Sequence, residues 1–111
     1  MTIPQTINNL CDEFYLNSMN HGFWEGKPSV GEKIALIHSE ISEALEASRV
    51  EGFLTSPDKH CPEYSNFAIE LADAIIRIGD LARHFNVDLG GALIAKHEFN
   101  LSRPHKHGKL F

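Results

Sequence analysis

Apolar residues recur every three or four positions along most of the chain, which is the spacing of an amphipathic helix. The pattern predicts four helices, over about residues 4–20, 29–51, 63–85 and 88–102. No segment alternates between polar and apolar residues as a half-buried strand does, and the sequence contains no internal repeat. Since short connections make neighbouring helices antiparallel, we expect an all-α protein with one four-helix, bundle-like domain over residues 1–111.

The predicted helix boundaries rest on local signals. Ser29, followed three residues later by Glu32, fits a capping box at the start of the second helix. Asp88 is a good N-cap for the fourth helix, which is expected to stop before Pro104. The predicted loop over residues 52–62 is long for a small bundle, and long loops are often functional.

The second and third helices carry apolar stripes that are candidates for the core. On the third helix the stripe comprises Phe67, Leu71, Ile75, Ile78 and Phe85. On the second helix it comprises Ile34, Ile37, Ile41 and Leu45. Glu40 and Glu43 point away from that stripe, alongside Leu36 and Ala47. Because this second side is partly apolar, we expect protein to flank the second helix on both sides.

The overall composition is that of an ordinary globular protein, with 42% hydrophobic and 23% charged residues. Purely apolar stretches are only a few residues long, far short of the ~20 residues that a membrane-spanning helix requires. The N-terminal segment has neither the basic start nor the apolar run of a signal peptide. A cytoplasmic location and no membrane partner are therefore expected.

The net charge of −5 is unevenly distributed along the chain. Residues 32–80 hold ten acidic and four basic residues, whereas residues 81–111 hold five basic and two acidic residues. The last part, from about residue 103, is a basic tail. An acidic centre beside a basic end suits a metal ion and an anion, respectively, although a solvated charged face would give the same pattern. A net acidic chain is not expected to bind a nucleic acid polymer.

Four carboxylates form two pairs at helical spacing. Glu40 and Glu43 lie three residues apart in the second helix, and Glu70 and Asp73 lie three apart in the third. Side chains with this spacing are neighbours on one helical face, so antiparallel packing would bring all four together. Hard oxygen ligands suit Mg²⁺ or Mn²⁺, and the absence of an organised His or Cys set argues against zinc. For each pair alone, a solvated acidic face is the alternative.

Together with the C-terminal sequence, these motifs resemble those of a known family. The two acidic pairs, with 26 residues between them in an all-helical chain of this size, are similar to those of the MazG-like nucleotide pyrophosphohydrolases of the all-α NTP pyrophosphatase superfamily. Residues 96–104 resemble that family's Lys-x-x-x-Asn-x-x-Arg-Pro segment, and residues 107–109 its trailing His-Gly-Lys. The resemblance covers roughly residues 15–109.

The resemblance implies Mg²⁺-dependent hydrolysis of nucleoside or deoxynucleoside triphosphates to monophosphate and pyrophosphate, in nucleotide pool control or house-cleaning. The catalytic metal ligands that it implies are Glu40, Glu43, Glu70 and Asp73. The implied phosphate or sugar contacts are Lys96 and Asn100, with Arg103 and Lys109 as further candidates. Many members have two adjacent acids at the start of the first motif, whereas this chain has Ser39 there. Which carboxylate orients the attacking water therefore stays open.

Trp24 is a candidate for a further substrate contact. It lies in a short connection after Gly22, where an aromatic ring can stack on a nucleotide base. The alternative is a core position, which is the commoner role for a tryptophan in such a place.

Two other functions remain open alongside the leading one. The first is a phosphoribosyl-ATP pyrophosphohydrolase-like enzyme, which shares the fold and the metal ligands. The second is a non-catalytic helical oligomerisation module with solvated acidic faces. Short helices on a small core leave faces that a symmetric partner can cover, so a homodimer or homotetramer is expected in each case.

Overall fold

The computed structural model describes residues 1–110, so the last residue of the predicted domain and tail lies outside the described part. Its four α-helices are α1 (Ile3–Asn20), α2 (Val30–Ser48), α3 (Asn66–His84) and α4 (Leu89–Leu101), followed by a short 3₁₀ helix (His105–Gly108). Residues 1–110 contain no strand beyond an isolated bridge between Pro57 and Ser65. The prediction of an all-helical fold with four helices is therefore confirmed. None of the described helices is long and apolar enough to cross a membrane.

Side-chain caps determine where all four α-helices begin. Ser29 and Asp88 accept hydrogen bonds from backbone N–H groups of the first turns of α2 and α4, as predicted. The α3 helix begins later than predicted because Ser65 caps it in the same way. The complete capping box occurs in α1, between Thr2 and Gln5, and not at the start of α2. Each cap of this kind stabilises a helix by about 1 kcal/mol.

The helices meet along faces made of small residues. The α3 helix packs against both α1 and α2, and α4 packs against α1. A Cβ atom at Gly79 would lie 2.9 Å from the Phe14 ring, and one at Gly90 would overlap the Pro4 carbonyl group. Ala44, Ala74 and Ala82 are also buried. These small residues allow the backbones of neighbouring helices to approach closely.

The predicted core stripes lie largely outside this packed region. Leu71, Ile75 and Ile78 on α3 are exposed, Ile75 by as much as 63%. On α2 the exposed members of the stripe are Ile34, Ile41 and Leu45. The prediction that these stripes form the core is therefore wrong for the single chain. The physical reason is that α2 and α3 meet where Arg77 bonds Glu40, beside the buried Ala44 and Ala74, and not along the centres of the two stripes.

Candidate metal centre and adjoining cleft

The packing of α2 against α3 brings three of the predicted carboxylates together. Glu40, Glu43 and Glu70 each place one carboxylate oxygen within 4.8 Å of the others. The i, i+3 spacing on α2 puts Glu40 and Glu43 on adjoining positions of one face, and Glu70 approaches them from α3. Three oxygen donors at this separation are close enough to bind one cation together.

Glu70 is the carboxylate most affected by its surroundings. Burial, a hydrogen bond with the Glu43 carboxyl group, and repulsion from the carboxylates of Glu43, Asp73 and Glu40 together raise the pKa of Glu70 to about 7. Its Oε2 atom is buried and has no hydrogen-bond partner among the described residues. A buried oxygen that lacks a donor is costly, so this atom would be stabilised by a cation.

Asp73 lies beside the three-carboxylate cluster but is not one of its three members. It lines a cleft together with Glu40. Burial raises the pKa of Asp73, and repulsion from Glu40 raises it further, while Arg77 acts in the opposite direction. The structure therefore places all four predicted ligands in one acidic region, with Asp73 at its edge.

Arg77 is a site residue that the sequence analysis did not select. Its Nε atom donates a hydrogen bond to Oε1 of Glu40 at 2.7 Å, which ties α3 to α2. The Glu40 side chain is only 12% exposed, so this ion pair is largely screened from water. The available signal was the position of Arg77 four residues after Asp73, which puts both side chains on one face of α3.

The predicted phosphate contacts lie on α4 and the segment that follows it. The Lys96 ammonium and the Arg103 guanidinium lie over the Phe99 ring, at 4.7 and 5.4 Å from its centre. Asn100 has a buried side-chain oxygen without a hydrogen-bond partner, and Lys109 is exposed. Within residues 1–110, no hydrogen bond or salt bridge joins these side chains to the carboxylates. The chain alone does not bring the two predicted groups into contact.

Trp24 occupies a core position rather than an open one. Its ring is buried and stacks on His84, with centroids 3.7 Å apart and planes within 5° of parallel. The ammonium group of Lys33 lies 4.2 Å from the ring centroid, and the indole N–H donates to Asp80 at 2.9 Å. Because these contacts surround the ring, the core alternative describes Trp24 in this structure, and stacking on a base by Trp24 does not fit it.

A cleft of about 280 Å³ opens beside the carboxylates, between α1 and α3. Phe14, Asn17 and Ser18 of α1 form one wall, and Asp73, Ile76, Arg77 and Asp80 of α3 form the other. Phe23 and Glu40 complete the lining. The sequence analysis selected none of the α1 residues, because only the packing of α1 on α3 makes them neighbours of the acidic pairs.

The region thus combines a group of carboxylates, one arginine and a partly apolar cleft. Such an arrangement can hold a divalent cation and, through that cation, accept an anionic ligand whose remainder lies in the cleft. Comparisons of the chain with protein-family models, with curated proteins and with solved structures find no match. Function is therefore inferred from these residues and their geometry.

Proposed function

We propose that this chain is a Mg²⁺-dependent pyrophosphohydrolase of the MazG-like kind, which converts nucleoside or deoxynucleoside triphosphates to monophosphates and pyrophosphate. The observation that carries the proposal is the unpaired, buried Oε2 atom of Glu70 beside the Glu40 and Glu43 carboxylates. We further propose that the enzyme works in the cytoplasm, in nucleotide pool control or house-cleaning.

The donor set fits a hard divalent cation. Glu40, Glu43 and Glu70 would hold it, with Asp73 at the edge of the same region as a fourth ligand. All the donors are carboxylate oxygens, which suit Mg²⁺ and accept Mn²⁺ as a substitute. Without a cation these groups repel one another, and this repulsion adds to the effect of burial in raising the pKa of Glu70 to about 7.

The side chains around the cation would position its ligands and bind the phosphate groups of the substrate. A Mg²⁺ ion held there supplies charge neutralisation of the triphosphate and a bound water of lowered pKa. Arg77 keeps the Glu40 carboxylate in place and lines the cleft, so its remaining N–H groups can donate to phosphate oxygens. Further phosphate or sugar contacts would come from Lys96, Asn100, Arg103 and Lys109.

The enzyme would act as a homodimer or homotetramer. The exposed apolar stripes of α2 and α3 are the support for this part of the proposal, because contiguous apolar surface of this kind marks an interaction site. A second copy that covers those stripes would complete the burial that the single chain lacks. A second copy could also supply the C-terminal phosphate contacts, since the main packing of α4 is against α1.

Replacing Glu70 tests the proposed activity. Glu70→Gln keeps the size of the side chain and resembles the neutral form that burial favours, so the helices are expected to remain folded. Pyrophosphate release from a nucleoside triphosphate should fall by at least about a hundredfold, because one anionic ligand is lost. The matched control is Glu46→Gln on α2, which alters a 78% exposed glutamate outside the carboxylate cluster and should keep full activity. Full activity in Glu70→Gln would contradict the proposal.

A non-catalytic oligomerisation module is the second candidate, and the exposed apolar stripes are the observation that favours it. Thermal unfolding during a Mg²⁺ titration separates the two candidates. A specific site stabilises the folded protein by mass action, at ion concentrations too low for general screening. A screen of ordinary, deoxy and modified nucleotides, including phosphoribosyl-ATP, then distinguishes a general triphosphate enzyme from a phosphoribosyl-ATP pyrophosphohydrolase-like one. If Mg²⁺ does not stabilise the protein and no nucleotide is hydrolysed, the non-catalytic module is favoured.

A further inference from the structure

We infer that the cleft between α1 and α3 binds the heterocyclic base of the nucleotide, and that it selects a base whose exocyclic amino group faces Asp80, with Ser18 as a further hydrogen-bonding partner of the ligand. The inference deepens the proposed function and rests on it, since it takes the phosphates to lie at the carboxylates. Cytosine, adenine and guanine carry an exocyclic amino group, whereas uracil and thymine carry none.

The cleft has the length and direction that a nucleotide needs. Asp73, Arg77 and Asp80 lie at positions i, i+4 and i+7 of α3 and all line it. Because an α-helix rises ~1.5 Å per residue, Asp80 is ~10 Å along the helix axis from Asp73. That separation is comparable to the distance from the α-phosphate to the far edge of the base. A nucleotide with its phosphates at the carboxylates therefore reaches Asp80 with its base.

Ser18 provides an unsatisfied polar group at the wall of the cleft. Its side chain is 8% exposed, and its Oγ atom is buried without a hydrogen-bond partner among the described residues. Buried hydroxyl groups are nearly always hydrogen-bonded, so an unpaired one that lines a cleft points to a ligand. A base edge in the cleft would supply the missing partner.

Asp80 provides a fixed acceptor in the lining of the same cleft. It is 9% exposed, and its Oδ1 atom accepts the indole N–H of Trp24 at 2.9 Å. The stacking of Trp24 on His84 holds that donor in place. Asp80 forms no salt bridge within residues 1–110, because the buried Lys33 ammonium donates instead to the Phe23 carbonyl oxygen at 2.7 Å. The carboxylate is therefore left to accept from a ligand.

The other walls of the cleft suit the faces of a planar base. Phe14, Phe23 and Ile76 contribute apolar surface, and the Phe23 ring is more than half exposed. Aromatic stacking tolerates any base, so these residues contribute affinity without selectivity. A volume of about 280 Å³ suits one nucleoside and not a longer polymer.

Selectivity between the bases then follows from the Asp80 carboxylate in the lining of the cleft. An ionised carboxylate accepts hydrogen bonds and donates none, so an amino group is its natural partner. A uracil or thymine carbonyl oxygen placed there would face the Asp80 carboxylate, which has no donor to offer it. Sites that hydrogen-bond a particular polar group reject analogues that lack it far better than apolar pockets reject a change in size.

Calorimetric titration of the full chain with Mg²⁺ and non-hydrolysable α,β-imido triphosphates tests the inference. The cytosine, adenine or guanine analogue that fits best should bind at least about tenfold more tightly than the uracil analogue. In Asp80→Asn, which keeps an oxygen for Trp24 and adds a donor, that ratio should fall to about twofold. Ser18→Ala should weaken the amino-bearing analogue severalfold. The control Asp12→Asn alters an exposed aspartate that is paired with Arg83 on the outer surface, and it should keep the wild-type ratio.

Inorganic pyrophosphate with Mg²⁺ serves as the base-free probe in the same titrations. If it binds while all four base analogues bind equally, the inference is overturned and the proposed function stands. If neither pyrophosphate nor any analogue binds, the proposed function fails and the inference fails with it. If Asp80→Asn and Ser18→Ala change the oligomeric state and not the base ratio, a second copy occupies the cleft, and the inference is again overturned.

Discussion

The α2–α3 pair carries charged residues on its inner side and large apolar residues on its outer side, whereas an ordinary globular protein has the reverse arrangement. On the inner side, where the helices meet, Glu40 and Glu70 lie among small residues such as Ala44 and Ala74. On the outer side, large apolar residues are open to solvent, with Ile75 63% and Leu45 56% exposed. Charge lies inside the helix pair, and most of its apolar surface lies outside.

The buried carboxylates and the exposed apolar stripes each require a partner that the single chain does not contain. Bringing carboxylates together away from water costs stability unless an opposite charge compensates, and Arg77 compensates only part of it. Leaving an apolar stripe in water forgoes the burial that stabilises most folds. A cation on the inner side and a second copy on the outer side would resolve both costs.

The largest effect is expected on the inner side, as a pH dependence of the metal-free protein. Unfolded Glu70 titrates near 4.5 and folded Glu70 at about 7, so between these values the folded state binds more protons. The free energy of unfolding should therefore fall as pH rises through this window, and level off above pH 7. We expect the melting temperature with EDTA to drop by at least about 5 °C, and Mg²⁺ to restore most of the loss at pH 8.

The variant Glu70→Gln isolates this effect from the histidines that titrate over part of the same range. It should remove most of the slope between pH 4.5 and 7 and most of the response to Mg²⁺. A slope that is the same in the variant and in the wild-type protein would show that the inner carboxylates do not cause it.

Arg77→Ala should have the next largest effect, on activity. The substitution removes the partner that orients Glu40, and loss of a residue that orients a metal ligand typically costs ~10–100-fold. We expect a fall in kcat of this size, together with a higher Mg²⁺ concentration at half-maximal activity. Arg77→Lys keeps the charge but not the geometry of the guanidinium group and should recover only part of the loss. Wild-type Mg²⁺ dependence in Arg77→Ala would contradict the orienting role.

Ile75→Glu tests the outer side. Placing a charge in the middle of the exposed stripe should weaken self-association by at least about tenfold, because an unpaired charge would be buried in the contact. Analytical ultracentrifugation measures the change in mass. Ile75→Val keeps an apolar side chain and should remain associated. If Ile75→Glu associates as strongly as the wild-type protein, the stripe on α3 is not the contact surface.

These two sides also mark how far the sequence could predict the molecule. The helices follow from apolar spacing and from caps such as Ser29 and Asp88, which are local features of the chain. Which side of α2 faces α3 depends instead on how closely two backbones approach, and periodicity favoured the wrong side. Small residues at Ala44 and Ala74 decided the packing, although a helical wheel weights them less than isoleucine.

The candidate site divides in the same way. Spacing identified the two acidic pairs, because i, i+3 neighbours share a helical face whatever the tertiary structure. Ser18 could not be selected, since its relation to the carboxylates exists only once α1 packs against α3, and the bond of Arg77 to Glu40 likewise forms only when α3 packs against α2. Conversely, Trp24 looked open in a Gly-flanked connection, but the tertiary structure buries it against His84.

The smallest effect is expected from the basic side chains of α4, which belong to neither side of the comparison. Lys96 is exposed, so Lys96→Met should leave the fold intact. If a second copy brings Lys96 to the phosphates, the loss of one charge contact should raise KM about three- to tenfold with kcat nearly unchanged. Arg49→Met, which removes a 67% exposed base from the end of α2, should leave KM unchanged. The effect of Lys96→Met on KM should disappear when it is combined with Ile75→Glu, because a monomer has no second copy to bring Lys96 to the phosphates. An equal effect in the wild-type and Ile75→Glu proteins would instead place Lys96 near the phosphates bound by its own chain.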